Sequence, residues 1–153
     1  MVKIVMEFVS EQRKLSGHPA KFSESEAKYG VRTEYLQSKN NVVFLAQGKK
    51  TIEGFVRISK IEGSWFINDL WVDKSIRAKG VGTILFNKAI AFLRRKKAAA
   101  VYIKALVNNK KALYFYKSLG AKTALDVELE LRLDKKKRKK QGKINLGGIL
   151  FEC

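Results

Sequence analysis

Two short runs hold residue types and spacing suited to holding a phosphate and a ligand laid along a helix. In "RAKGVGTILF", Arg77 and Lys79 stand beside Gly80 and Gly82 at the point where an apolar strand gives way to a helix. Glycine costs a helix interior about 1 kcal/mol against alanine, so two glycines one residue apart need a reason. A helix start exposes unpaired backbone N–H groups and carries partial positive charge. Phosphate binds there when the main chain can come close, and glycine removes the Cβ that would hold it off. On that reasoning "RAKGVG" reads as a pyrophosphate cradle with Arg77 and Lys79 adding charge. A loop that needs glycine only for its turn fits the same letters.

The second run is "NKKALYFYKSLG". Asn109 and Tyr116 are seven residues apart, and seven steps at 3.6 residues per turn return nearly to the starting direction. Asn109, Ala112 and Tyr116 therefore share one stripe, where a small Ala112 between two polar groups leaves room for a ligand along the helix. Tyr114 and Phe115 are expected in the core. The plainer reading makes Asn109 a helix cap and Tyr116 a core residue.

Together these runs resemble the Gcn5-related N-acetyltransferases (GNAT). That family's pattern is a strand ending L-x-V, then R/Q-x-x-G-x-G/A opening a helix, then N-x-x-A-x-x-x-Y-x-x-x-G on the last helix. The matching residues are Leu70 and Val72, Arg77, Gly80 and Gly82, then Asn109, Ala112, Tyr116 and Gly120. The resemblance spans residues 42–133. It implies acetyl-CoA as cofactor, with Arg77 and Ala78 leading into the backbone amides of Lys79, Gly80, Val81, Gly82 and Thr83 as the pyrophosphate seat. It also implies that the pantetheine arm pairs with the main chain of Leu70, Trp71 and Val72, with Asn109 and Ala112 further along. Tyr116 is then the general acid at the departing thiolate. A tyrosine at about pKa 10 lies above a thiol at about 8.5, so its benefit is mainly a hydrogen bond to developing charge. Two residues depart from the pattern. Lys74 stands where the family usually has proline. Lys104 stands where ribosomal-protein N-terminal acetylases carry a glutamate base.

An attacking amine must be neutral. A lysine-like amine near pKa 10.4 is neutral in roughly one molecule in 2,500 at pH 7, a deficit of about 4.6 kcal/mol; an α-amine near 7.8 is short by about 1 kcal/mol. Asp69, two residues before Trp71, is the candidate base, directly or through a water. A carboxylate paired with one of many cations is the alternative.

The elements that must position these residues follow from periodicity. "VKIVMEFVS" reads as a first strand. Residues 23–40 look helical: Ser23 and Glu26 have capping-box spacing, Tyr29, Val31, Tyr35 and Leu36 are the apolar positions, and Gly30 weakens the pattern. "NVVFLAQ", "IEGFVRISKI" and "SWFINDLWV" form an antiparallel meander. On the last of these, Trp65, Ile67, Asp69 and Trp71 alternate onto one face. Val81, Ile84, Leu85, Ala89, Phe92 and Leu93 recur at helical spacing. "AAAVYIKALV" reads as a buried strand, "NKKALYFYKSLG" as a short helix with Asn109 as N-cap and Gly120 just past its end, and "VELELRL" as a final strand. The expectation is a mixed α/β fold: a largely antiparallel sheet flanked by helices, of acyl-CoA N-acyltransferase type. Residues 1–133 form the catalytic domain and residues 134–153 a basic extension.

Composition narrows the partners. The chain has 153 residues with 32 Lys and Arg against 14 Asp and Glu, a net charge of +18. The last 20 residues hold seven cations and two anions, a net of +5, which leaves +13 for the rest. Such a surface repels polycations, so a protein amine, N-terminal or lysine, ranks above a polyamine or other small amine as acceptor. A nucleic-acid- or ribosome-associated binding protein on the same scaffold is the reading from another class, with "KKKRKK" as phosphate contacts. Cys153 is the one cysteine, so no disulfide forms within the chain and no acyl-enzyme nucleophile suggests itself; direct attack in a ternary complex is expected. His18 is the one histidine, and no metal-ligand spacing occurs. No apolar run approaches the roughly 20 residues of a membrane span, and the N-terminus is too short for a signal h-region. The expectation is a cytoplasmic protein with no membrane partner. "INLGGILF" leaves open an extra strand, a docking segment or a homodimer contact.

Overall fold

The strands β1 (Asn41–Gln47), β2 (Ile52–Ile61) and β3 (Ser64–Val72) follow one another as the expected antiparallel meander. Between β2 and β3 the chain reverses in two residues, Glu62 (φ +48°) and Gly63 (φ +83°), the two positive φ values that a tight hairpin turn matches to strand twist. The computed structural model describes residues 1–18, 21–49, 51–121, 123, 142–146 and 149–152. The early loop proline Pro19, the expected strand at 127–133 and the lysine run at 135–140 lie outside them. Two compact units divide the chain: Met1–Phe8 with Ser23–Lys104, and Val9–Phe22 with Ala105–Cys153.

In the first unit β4 (Tyr102–Ile103) joins β3 in parallel, Phe66 opposite Tyr102 and Ile67 opposite Ile103. The sheet, in order β1-β2-β3-β4, is mixed and largely antiparallel. β4 is shorter than the buried strand expected over residues 98–107, and Tyr102 is exposed. The ladder ends where the Lys104 amide donates to the Ile67 carbonyl at 3.1 Å, because β3 bulges at the next residue. Arg57 lies opposite Asp69 and Ile58 opposite Ile67, leaving Asn68 without a partner on β2. One extra residue reverses the side-chain alternation. Trp65 and Ile67 therefore face one side of the sheet, and Asp69 and Trp71 the other. The single shared face expected for these four is corrected by the bulge.

The two faces are covered differently. Helix α3 (Val81–Arg95) covers the first: Phe92 meets Trp65 and Phe44 edge-on, with ring centroids 5.9 and 5.7 Å apart. A Cβ on Gly54 would stand 2.8 Å from the Trp71 carbonyl oxygen and 3.0 Å from Leu85 Cδ1, so glycine lets helix and sheet close together. The inward stripe of α3 is Leu85, Phe86, Ala89 and Leu93, while Ile84 is 67% exposed. The expected stripe included Ile84 and missed Phe86. On the other face Phe8 and Tyr35 pack edge-on against Phe55, and Trp71 stacks on it. Phe55, Val56, Ile58 and Ile67 are fully buried, each stabilising the fold by about 1.5–3 kcal/mol relative to exposure.

Residues 2–15 are a helix, α1 (Val2–Leu15), and not the expected strand. Lys3, Glu7, Ser10 and Lys14 are its exposed positions, spaced four, three and four, while Val5 and Phe8 are buried. That is helical periodicity, masked in the sequence by a dense run of β-branched residues. Helix α2 (Glu24–Gly30) starts with the expected capping box: Ser23 Oγ accepts from the Glu26 amide, and the Glu26 carboxylate accepts from the Ser23 amide. The chain does not stop at Gly30 but widens into a π-helical turn, Val31–Leu36. Ala27 and Val31 are the buried positions, whereas Tyr29 and Leu36, expected to be buried, are 72% and 70% exposed.

In the second unit α4 (Lys110–Ser118) has the Asn109 cap and the positive-φ Gly120 beyond its end that the sequence predicts. Tyr114 is 71% exposed rather than in the core. It sits two residues from Tyr116, on the opposite side of a 3.6-residue helix. Strands β5 (Lys143–Leu146) and β6 (Ile149–Glu152) pair as an antiparallel hairpin.

Candidate functional site

The junction between β3 and α3 leaves the helix start without a capping side chain. Asp73 accepts from the Ser75 amide (2.8 Å) and hydroxyl (2.6 Å), which starts a short 3-10 turn, Lys74–Ile76. Those two bonds, the hydroxyl's larger, hold its carboxyl below the ordinary carboxylate range. Arg77 then folds back, its Nε donating to the Val72 carbonyl at 2.8 Å. Ala78 (φ +64°) and Gly80 (φ +84°) are both left-handed, a conformation that costs alanine but not glycine. Gly80 is the N-cap of α3 and no side chain caps the helix. The first helical bond runs from the Ile84 amide to the Gly80 carbonyl, 3.0 Å, so the amides of Val81, Gly82 and Thr83 have no partner within the helix. The Lys79 amide reaches the Ile76 carbonyl at 3.4 Å. A Cβ on Gly80 would meet nothing within 4 Å.

Upstream, the main chain of β3 alternates its direction. The Asp73 amide donates to the Glu53 carbonyl, 2.8 Å, which sets the hydrogen-bonded pairs at Asp73, Trp71 and Asp69. Leu70 and Val72 therefore turn their N–H and C=O groups away from β2, toward the edge β4 has left. Trp71, grouped with them by sequence, turns its main chain into the β2 ladder. Its side chain is buried, and its indole N–H has no hydrogen-bond partner among the described residues.

Asp69 is not a solitary carboxylate. Arg57 Nε donates to its Oδ2, the Tyr35 hydroxyl donates to the same oxygen at 2.8 Å, and Arg57 Nη1 reaches Glu34 at 3.0 Å. The Asp69 and Arg57 side chains are only 11% and 14% exposed. Arg57 also lies over the Tyr35 ring, 4.9 Å from its centroid. Burial first, then the Asp69 charge and hydrogen bond, push the Tyr35 phenol well above its ordinary value. Burial works against the Arg57 cation, but Asp69 outweighs it and holds its pKa above the ordinary arginine value. The sequence reading missed Arg57, and treated Tyr35 as merely apolar. The signal was a cation two residues from Phe55 in an apolar strand, on the inward parity.

In α4, Asn109 Oδ1 accepts from the Ala112 amide at 3.1 Å. Ala112, Phe115, Tyr116 and Leu119 are its less exposed positions, and Tyr116 is buried. Asn109 is the non-helical cap ahead of α4, and Ala112 and Tyr116 lie four residues apart on the helix. Among the described residues, no three of His, Cys, Asp and Glu gather to hold a metal ion, and no helix is long and apolar enough to cross a membrane.

A profile of the acetyltransferase (GNAT) family matches residues 7–121. Over 70 residues the chain is 37% identical to an uncharacterized N-acetyltransferase of Methanocaldococcus jannaschii; the match covers 46% of this chain and 31% of that one. The chain thus spans about a third of the curated relative it matches. A protein described as a streptothricin acetyltransferase from Bacillus anthracis, solved in complex with acetyl coenzyme A, is similar at TM-score 0.53 and 28% identity, over 57% of this chain and 50% of that one. An aminoglycoside acetyltransferase from an uncultured soil metagenomic sample, in complex with sisomicin, reaches TM-score 0.66 at 20% identity over 87% and 90% of the two chains, which is likeness of fold. A mixed sheet bulged beside an uncapped glycine-led helix, under a profile that covers most of the sequence, places the conclusion: the chain belongs to the acetyltransferase (GNAT) family.

Proposed function

We propose that the protein is an acetyl-CoA-dependent N-acetyltransferase that acylates a primary amine by direct attack in a ternary complex. The observation that carries this is the start of α3: a left-handed Gly80 cap, no capping side chain, and three amides without helix partners. That arrangement fits a pyrophosphate, which needs donors and the absence of a Cβ. The amides of Val81, Gly82 and Thr83 would hold it most directly, with Gly80 and the main chain of Ala78 and Lys79 shaping the turn. Arg77 and Lys79 add positive charge. The outward main-chain groups of Leu70 and Val72 would pair with the pantetheine arm, Trp71 contributing only through the strand it stiffens. When bound, acetyl-CoA supplies the thioester acyl group and its thiolate leaving group. Tyr116 Oη would donate a hydrogen bond to charge developing at sulfur, while Asn109 Nδ2 and the small Ala112 would receive the arm along α4.

Asp69 enters this reading as an anchor. Its Oδ2 is already occupied by the Arg57 guanidinium and the Tyr35 hydroxyl, and through them it ties the π-helical turn to the sheet. The acceptor is a protein amine, N-terminal or lysine, ahead of a polyamine, because a chain at +18 repels polycations. The exposed run Arg94–Lys97 at the end of α3 favours a nucleic-acid or ribosomal partner as a second reading, compatible with the first and with cytoplasmic residence. The test is CoA release with a panel of amines, wild type against Tyr116→Phe, beside the 260 nm absorbance of purified protein. The proposal expects Tyr116→Phe to lower kcat far more than it weakens acetyl-CoA binding. Equal turnover removes Tyr116 from the acid role, and co-purifying nucleic acid without CoA release favours the second reading.

A further inference from the structure

Among the described residues no strand pairs with the β3 edge from the start of α3 back to the Asn68 bulge, about 13 Å of strand. It ends there because β4 takes over, with the Lys104 amide on the Ile67 carbonyl. If the acetyl-transfer reading holds, an acyl chain anchored at α3 and laid along this edge is stopped at Asn68 and Lys104. A polar trough of about 490 Å³ opens at the same place, lined by Glu34, Arg57, Ser59, Glu62, Asn68 and Lys104 among others. Its charges are unequally committed. Arg57 is engaged by Asp69 from β3 and by Glu34 from the π-helical turn. Lys60 of β2 lies over the Trp65 ring, 5.6 Å from its centroid, and Glu62 sits in the β2–β3 turn at the far end. Lys104 packs over Phe66, 5.6 Å from the ring centroid, and meets no carboxylate among the described residues.

We propose that this trough seats the acceptor and that Lys104 selects an α-amine over a lysine side chain or a polyamine. The reacting end offers a cation and no uncommitted carboxylate. An ammonium brought beside Lys104 is disfavoured by like charge, while the neutral amine is not. The acceptor must therefore arrive largely neutral by its own chemistry. At pH 7 an α-amine is neutral in about one molecule in seven, a lysine side chain in roughly one in 2,500, an advantage of about 350-fold. A polyamine brings further cations into the same repulsion. In the transfer itself the neutral nitrogen attacks the acyl carbon, the C–S bond breaks, the thiolate takes a proton, and the excess proton on nitrogen leaves to solvent.

Three probes test this on the full chain at saturating acetyl-CoA: a lysine-free peptide with a free N-terminus, the same peptide N-terminally blocked and carrying one lysine, and spermidine. CoA release is followed at pH 7, and calorimetry measures acetyl-CoA binding without acceptor. The free N-terminus is expected to lead by at least about tenfold in kcat/KM. Lys104→Glu should raise kcat/KM for spermidine about tenfold, and Lys104→Arg should keep the wild-type order. In wild type the pH of half-maximal rate should lie about one unit below the peptide amine's own pKa, and Lys104→Gln should move it back toward that value. A leading blocked peptide or spermidine, an unchanged order in Lys104→Glu, or no turnover of any probe while acetyl-CoA binds overturns the α-amine seat. Absence of acetyl-CoA binding in the calorimeter overturns the acetyl-transfer reading itself, and the seat with it.

Discussion

Replacing Asp69 with asparagine separates an anchor from a base. The substitution keeps the side-chain volume but removes the charge that Arg57 Nε and the Tyr35 hydroxyl share. Breaking a buried ion pair by removing one partner costs about 3–5 kcal/mol, mostly through the charge left behind. Here Arg57 retains Glu34 at 3.0 Å, but the Glu34 side chain is 58% exposed and compensates only in part. The expected loss is therefore about 2–3 kcal/mol, at or just below the lower end of that range. At about 2–4 °C per kcal/mol for a chain of this size, Tm should fall by about 4–12 °C. Thermal unfolding by circular dichroism gives the first number, and CoA release per folded molecule at 25 °C, with whichever acceptor turns over, gives the second. An anchor predicts the Tm loss with kcat/KM held within about threefold on the alkaline plateau. An unchanged Tm together with a hundredfold fall in kcat/KM refutes the reasoning and restores Asp69 as the proton acceptor.

Tyr35 carries a pH dependence of definite sign. Its phenol is raised in the folded state, so the stability it contributes is complete below the ordinary tyrosine value near 10 and is lost as pH climbs from there toward the raised value. Urea unfolding at pH 9 and pH 11 should show a steeper decline in wild type than in Tyr35→Phe; parallel declines contradict this. Gly54→Ala should destabilise by about 1–3 kcal/mol, since its Cβ meets a backbone oxygen at 2.8 Å that cannot step aside; a denaturant midpoint equal to wild type contradicts that close approach. Asn109→Asp keeps the cap on the Ala112 amide but loses the Nδ2 donor, whereas Asn109→Ala also loses the cap, at about 1 kcal/mol. If Nδ2 receives the cofactor, both variants bind acetyl-CoA more weakly in calorimetry while only the second loses stability; wild-type affinity in Asn109→Asp leaves Asn109 a cap alone.

The parts of the fold legible in the sequence are those set by local chemistry. The capping box at Ser23, the cap at Asn109, Gly120 beyond α4 and the three meander strands all follow from residue types within a few positions of one another. What escaped depends on partners distant in sequence. Residues 2–9 are rich enough in β-branched and apolar side chains to pass for a strand, and only the packing of Val5 and Phe8 decides for a helix. Ile84 and Leu85 are equally apolar, and the register of α3 against Gly54 determines which is buried. The Asn68 bulge leaves no mark in "SWFINDLWV", yet it puts Asp69 and Trp71 on the face opposite Trp65 and Ile67. Of the candidate site, the glycine-led start of α3 was readable because Gly80 takes a left-handed conformation that other residues adopt at a cost. The Tyr35–Asp69–Arg57 group was not, because it joins residues 12 and 34 positions apart.

The proposed seat of the coenzyme A pyrophosphate is the first amides of α3, which no side chain caps. Calorimetric titration of acetyl-CoA into the full chain, wild type against Gly82→Val, tests it most directly. Saturable one-to-one binding in wild type, weakened about tenfold or more by a branched side chain at position 82, is the predicted result. Equal affinity in the two proteins contradicts it.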